Sequence, residues 1–112
     1  MTVTTKVLIP AKTAENTQTT QYTASGVTAI IDKFTATNYS ASAATISVNL
    51  VTAAGSASND NLIVKTKTLQ AGESYTFPEL VGHVLAPNGF ISTIAGTASA
   101  INIRASGREV TS

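Results

Sequence analysis

The sequence predicts an all-β domain, an antiparallel β-sandwich of jelly-roll or Ig-like type with seven to eight short strands. Apolar and polar residues alternate with a period of two in several segments, as half-buried strands require, because successive side chains face opposite ways. Clusters of turn-forming residues separate these segments at short intervals. Only Pro78-Glu-Leu-Val-Gly-His-Val-Leu85 suggests a helical turn, with Pro78 at its first position. Its short length and Gly82 make it a connector.

Val3 to Ile9 is the first strand candidate, and Pro10 ends its apolar run. Residues 11–21 are polar and weakly patterned. They read as a surface loop entering a strand at Thr19 to Thr23, or as the stem of an N-terminal arm. One domain thus spans 1–112, with residues 1–21 as an arm or edge strand. Ala29 to Thr37 follows, with Ile30, Phe34 and Ala36 in phase and Asp32 interrupting that face. In Thr45 to Thr52 the alternation is cleanest: Ile46, Val48 and Leu50 share one face, Thr45, Ser47 and Asn49 the other. Leu62 to Leu69 is β-prone but mixed in phase, because Leu62 and Val64 point opposite to Leu69. A bulge near Thr68 reconciles the two phases. Lys65 and Lys67 then lie on one outward face, where charge blunts an edge strand. Ser74 to Phe77, with Tyr75 and Phe77 in phase, and the β-branched Phe90 to Ala95 add two more strands. The last strand sets Ile101, Ile103 and Ala105 against Asn102, Arg104 and Ser106. Between strands lie Ala24-Ser-Gly26, residues 53–61, Ala71-Gly-Glu73, Ala86-Pro-Asn-Gly89 and Gly96-Thr97. In the fourth of these, proline presets φ and Asn or Gly accepts a positive φ.

Composition narrows the chemistry. Of 112 residues only 12% are charged, against about 25% in an ordinary soluble domain. Thr, Ser and Ala replace the missing charges. The net charge of +1 leaves no electrostatic footprint for nucleic acid or an anionic membrane. Absence of cysteine excludes disulfides, thiolate metal sites and a cysteine nucleophile, and a single histidine excludes histidine-rich metal clusters. The start of the chain lacks the apolar run of a secretion signal, and no window reaches the about 18 apolar residues of a membrane helix. Synthesis in the cytoplasm is the expectation. Asn38-Tyr39-Ser40 matches the glycosylation sequon but then reads as a turn.

Candidate chemistry is sparse. Glu79 and His83 are spaced to share one face of a helical turn, as an acid–base pair or two metal ligands. No third partner is evident, and a structural corner histidine is the plainer reading. A Ser-His-Asp triad drawn from His83 with Asp32 or Asp60 carries little information among so many serines, and no Gly-x-Ser-x-Gly elbow is present. Asn59-Asp60-Asn61 has too few carboxylates for a calcium loop and reads as a solvated turn. Glycine-rich phosphate-binding patterns are missing. Tyr22, Tyr39 and Tyr75 suit sugar stacking or ordinary core and rim positions equally well. Arg104 faces outward and Arg108 follows Gly107; both suit bidentate grip of a partner's carboxylates. No cofactor, no metal and no catalytic residue is expected. Low charge on the polar strand faces also suits contact with another subunit, because interface cores are depleted in charge.

Tyr22-Thr-Ala-Ser-Gly26, Ala29-Ile-Ile-Asp-Lys-Phe-Thr-Ala-Thr-Asn38, Thr45-Ile-Ser-Val-Asn-Leu-Val51, Leu69-Gln-Ala-Gly-Glu-Ser-Tyr75, Pro78 to Leu85 and Ile103 to Thr111 together resemble small virion structural proteins of tailed bacteriophages. Head decoration or cementing proteins with β-sandwich or jelly-roll folds belong to that group. The resemblance covers residues 22–111 and brings no catalytic residues. It implies a non-enzymatic virion protein, assembled in the host cytoplasm, that stabilises the capsid by binding major capsid subunits as a homo-oligomer or lattice-bound copy. Neck, tail and fibre components share such domains, and a receptor- or carbohydrate-binding module is a further alternative. Lys65, Lys67, Arg104 and Arg108 are the candidate partner contacts.

Overall fold

The computed structural model describes residues 1–111. Nine strands form there: β1 (Thr2–Thr13), β2 (Thr19–Thr23), β3 (Thr28–Asn38), β4 (Ala44–Val51), β5 (Leu62–Leu69), β6 (Ser74–Thr76), β7 (Val84–Leu85), β8 (Phe90–Ala95) and β9 (Ile101–Thr111). The other element is a short 3-10 turn at Asn59–Asn61. One sheet, A, has the order β1-β9-β3-β6, with β7 pairing the far end of β3; the other, B, has the order β2-β8-β4-β5. All pairs are antiparallel.

With the two-residue β7 set aside, the pairing is nested. The first strand pairs with the last, β1 with β9; the second with the seventh, β2 with β8; the third with the sixth, β3 with β6; and the fourth with the fifth, β4 with β5. A long hairpin wrapped into two facing sheets gives this order, which is the jelly roll. An Ig-type sandwich would place the strands in a different order. Three strands are longer than the short ones expected: β1 has 12 residues, β3 and β9 have 11 each.

Between the sheets lie Phe34, Phe77, Ile9, Ile31, Ile46, Leu69, Leu80, Ile91, Ile101 and Ile103, all fully buried. Phe34 of β3 meets Phe77 edge-on with ring centroids 5.3 Å apart, and Tyr75 meets Phe77 likewise at 4.8 Å. β9 follows the expected alternation, with Ile101, Ile103 and Ala105 buried and Asn102 and Arg104 exposed.

Bulges correct the expected phases elsewhere. In β3 the register shifts between Ile31 and Lys33. The extra residue turns Ile30 outward and buries Ala29 and Ile31 before the bulge, then Phe34 and Ala36 after it. Ile30 therefore does not share a face with Phe34. In β5, Val64 pairs with Val48 and Lys67 with Ile46, so Lys65 and Thr66 together oppose Ser47. One bulge lies at Lys65–Thr66 rather than near Thr68, and a second register shift at Ile63 sets Leu62 against Asn49, off the face of Val64. Thr66 has a φ of 45°, and its N–H donates to the Ser47 hydroxyl at 2.8 Å. β1 passes through Pro10 to Thr13 with register shifts after Val7 and Ile9. An edge strand tolerates a proline at such irregularities, because the missing N–H need not serve a ladder.

The polar face of β4 is not a free surface. Ser47 and Asn49 are buried, as is Ser92 of β8, which pairs with Asn49. Gln18 reaches over the outer side of sheet B to the Ser92 hydroxyl at 2.8 Å. The Asn49 amide donates to the Ser58 carbonyl and to the Asn61 side chain. The chain's own loops thus cover much of the hydroxyl-rich face expected to meet another subunit. Asn59-Asp60-Asn61 is the capped 3-10 turn that closes this cover. Asn38 is wholly buried; its amide donates to the Ser42 and Leu69 carbonyls while its oxygen accepts from Ser40. The sequon is not the turn expected: Asn38 is the last residue of β3, paired with Ile101, and the chain bends only at Ser40. Asn88 adopts a φ of 68° in the turn before β8. Pro78 to Gly82 form turns rather than a helix, and Val84–Leu85 form β7.

Candidate interaction surface

Facing residues of paired strands project to the same side, so the ladder defines the outer face of sheet A. Val3 pairs with Val110; Thr5 pairs with Arg108, which pairs with Ile30, which pairs with Val84. Val3, Val7 and Val84 are exposed, at 51%, 41% and 58% of their area, and Ile30 and Val110 are half-buried. An apolar row therefore crosses one end of the sheet. In its midst Arg108 grips Asp32 through Nε and Nη2, at 2.9 and 2.8 Å. Asp32 is the residue freed by the β3 bulge.

Towards the other end, the second irregularity of β1 opens a groove of about 410 Å³ beside β9 and β3. Ala11, Lys33, Thr35, Thr37, Asn102 and Arg104 line it, among others. Its only charged side chains are the two cations. Among the described residues, the carboxylate ion pairs are Lys6–Glu109, Lys12–Glu15 and Arg108–Asp32, so Lys33 and Arg104 keep their charge free for a partner.

The four cations expected from the sequence to contact a partner do not gather. Arg104 lies in the groove and Arg108 on the apolar row, both on the outer face of sheet A. Arg108 is already occupied by Asp32, which leaves it less able to grip a second carboxylate. Lys65 projects from the β5 bulge at the rim of a smaller depression on sheet B. Lys67 pairs with Ile46 and so faces the inter-sheet side, where its ammonium lies 4.3 Å from the centre of the Tyr75 ring. The bulge thus separates two lysines that strict alternation sets on one face. Sequence reading missed Lys33, Ile30 and Val84. Polar Asp32 and Lys33, side by side amid alternating apolar residues, were the available signal of a bulge that turns Ile30 and Lys33 outward.

The remaining titratable candidates are dispersed. Glu79 accepts from the Tyr75 hydroxyl at 3.2 Å, and His83 is exposed on a turn whose backbone carbonyl accepts from Ile31. No group of three histidine, aspartate or glutamate side chains gathers closely enough to hold a metal among the described residues. Tyr22 is buried between the sheets, with its hydroxyl donating to Glu109. Burial, and then the Glu109 carboxylate, push its ionisation well above the ordinary tyrosine range. Tyr75 packs under Lys67 and only Tyr39 is well exposed, so the tyrosines give no common sugar platform.

Arg108 hydrogen bonds hold the Asp32 carboxyl below its ordinary value. A lowered folded-state value contributes stability above the unfolded-state value that is lost as pH falls through the folded one. Thermal midpoints of wild type and Asp32→Asn should therefore differ near neutral pH and converge in acid. Both groups are solvent-exposed, so the neutral-pH gap should be small. Comparison of the chain with family models, with curated proteins and with solved structures returns no match.

Proposed function

We propose that the chain is a non-enzymatic structural subunit of a phage virion, a head decoration protein that docks on major capsid subunits through the outer face of sheet A. The observation that carries this reading is the chemistry of that face. A row of exposed valines with the half-buried Ile30 and Val110 lies beside a groove whose only charges are Lys33 and Arg104. Such a face suits a partner that offers apolar side chains next to carboxylates, because apolar burial supplies the area and charge complementarity the register. Sequence resemblance to small virion proteins supports the same reading. The jelly roll, which recurs in viral shells, supports it by analogy of fold. Repetition over a symmetric shell multiplies modest contacts into firm attachment.

Co-sedimentation with heads assembled without the protein, followed by cryo-electron microscopy, tests this. Wild type should bind across the shell in fixed stoichiometry. Lys33→Glu with Arg104→Glu should weaken binding by about 2 kcal/mol, roughly thirtyfold, by setting like charges against the partner. Binding confined to one vertex or to the tail would move the protein to the neck or tail. Absence of binding would overturn the docking reading.

A further inference from the structure

We propose that two copies of the chain pair through the free edge of β1, over Thr2–Val7, in an antiparallel two-fold register centred on Thr5. β1 borders sheet A and β9 is its one ladder partner among the described residues. An edge strand presents a row of backbone donors and acceptors to any further strand, and proteins blunt such edges with bulges, proline or inward charge. In β1 the bulges and the proline are segregated, and the one inward charge of the first half, Lys6, is paired within its own chain to Glu109. Pro10 and both register shifts lie in the second half, after Val7. From Thr2↔Thr111 to Val7↔Ser106 the ladder is unbroken, and the segment holds no proline. Residues 2–6 are exposed on both faces, so sheet B does not obstruct a strand that approaches this edge.

The side chains of this half fit a second copy in one register. Centring on Thr5 sets Val3 against Val7 of the second copy, Thr5 against Thr5, and Thr4 against Lys6. Valine meets valine on the outer face, and hydroxyls meet at the axis. Facing apolar and threonine pairs stabilise antiparallel ladders. The ammonium of Lys6 faces a threonine and keeps its own-chain partner Glu109 at 3.4 Å. Centring on Lys6 would oppose two ammonium groups, and centring on Thr4 would set each Val3 against a threonine. The product is one sheet running β3-β9-β1 through both copies, with the exposed valines joined to the apolar row. Backbone hydrogen bonds supply the affinity in such strand addition, and the alternate side chains supply the register.

The absence of cysteine from the chain makes the test clean. Light scattering on the purified full chain should give twice its 11.5 kDa mass. Thr5→Lys should halve that mass, because like charges would face each other at the axis, while circular dichroism shows the fold intact. Mixing Thr5→Lys with Thr5→Glu should restore the double mass. Thr5→Cys should cross-link under mild oxidation, since facing residues lie about 4.5–5.5 Å apart. Thr4→Cys, which faces Lys6, should not. A single-chain mass at every concentration overturns the proposal, as does a double mass that survives Thr5→Lys. No particle is involved, so this outcome is independent of the head-binding test.

Discussion

Phe34→Ala is expected to lower the free energy of unfolding by about 3–5 kcal/mol, the range for a large aromatic removed from a packed core. Phe34 is fully buried in the middle of β3, between the bulge that precedes it and the pair Thr35↔Thr76 that follows. Its ring is one of a stack of three, with Phe77 edge-on to it and Tyr75 edge-on to Phe77. The backbone reinforces the contact, since Phe77 N–H donates to the Phe34 carbonyl at 3.0 Å. Strands on either side anchor these rings, so the cavity left by alanine cannot collapse fully. Domains of this size are stable by about 5–15 kcal/mol, so the loss takes a large share. Urea unfolding should show a lowered midpoint with little change in slope. A double-mutant cycle with Phe77→Ala should give losses well short of additive, because the two rings share one cavity. Full additivity, or a loss below about 1 kcal/mol, would remove the aromatic stack as the centre of the core.

Gly107→Ala is expected to cost about 3 kcal/mol or more, from the addition of a single methyl group. β9 is paired on both sides here, Gly107 facing Lys6 of β1 and Ile31 of β3. A Cβ at this position would lie 2.1 Å from the Ile30 carbonyl oxygen and 2.8 Å from Leu8 Cδ1. The leucine end can move, but the carbonyl belongs to the backbone next to the β3 bulge and cannot withdraw without breaking the ladder. Close approach of two backbones is one of the reasons for glycine inside a strand. Gly72→Ala serves as the contrast: its Cβ would meet nothing within 4 Å, and its cost comes from its φ of 78° in an exposed turn. Equal midpoints for Gly107→Ala and wild type in chemical unfolding would show that the bulge does not press on β9.

The parts of the fold legible in the sequence are those where alternation runs unbroken on a sheet with one face in the core. β9 is the clearest case, and β8 was placed at its observed limits. Where a strand bulges, parity changes sign and the pattern misleads. Ile30 reads as in phase with Phe34 because nothing local distinguishes a bulged Asp32 from an interrupting one. In β5 the mixed phases did announce a bulge, but its place is fixed by the Ser47 hydroxyl that receives Thr66 N–H, a partner 19 positions away. Pro10 reads as the end of an apolar run because an edge location has no local signature. Ser47 and Asn49 of β4 read as surface because the loops over them leave no periodic trace. In the interaction surface, the outward aim of Arg104 followed from alternation alone. The Asp32 partner of Arg108 lies 76 positions away and could not be read locally.

The nested pairing of the jelly roll also bears on how the chain closes. Thr2 and Thr111 are partners from far apart in sequence, whereas Ala44 and Leu69 are joined through one connection. If β1 met β9 directly from an open chain, the closure would carry the entropy of a very long loop, and folds rich in such contacts form slowly. Nesting offers a shorter route. Once β4 and β5 have joined, the ends of β3 and β6 are held near each other; β2 and β8 follow, and then β1 and β9. Each step then closes little more than the connections between neighbouring strands. On that route the outermost pair zips last, so the strand with the open edge is also the one whose place in the molecule is settled latest.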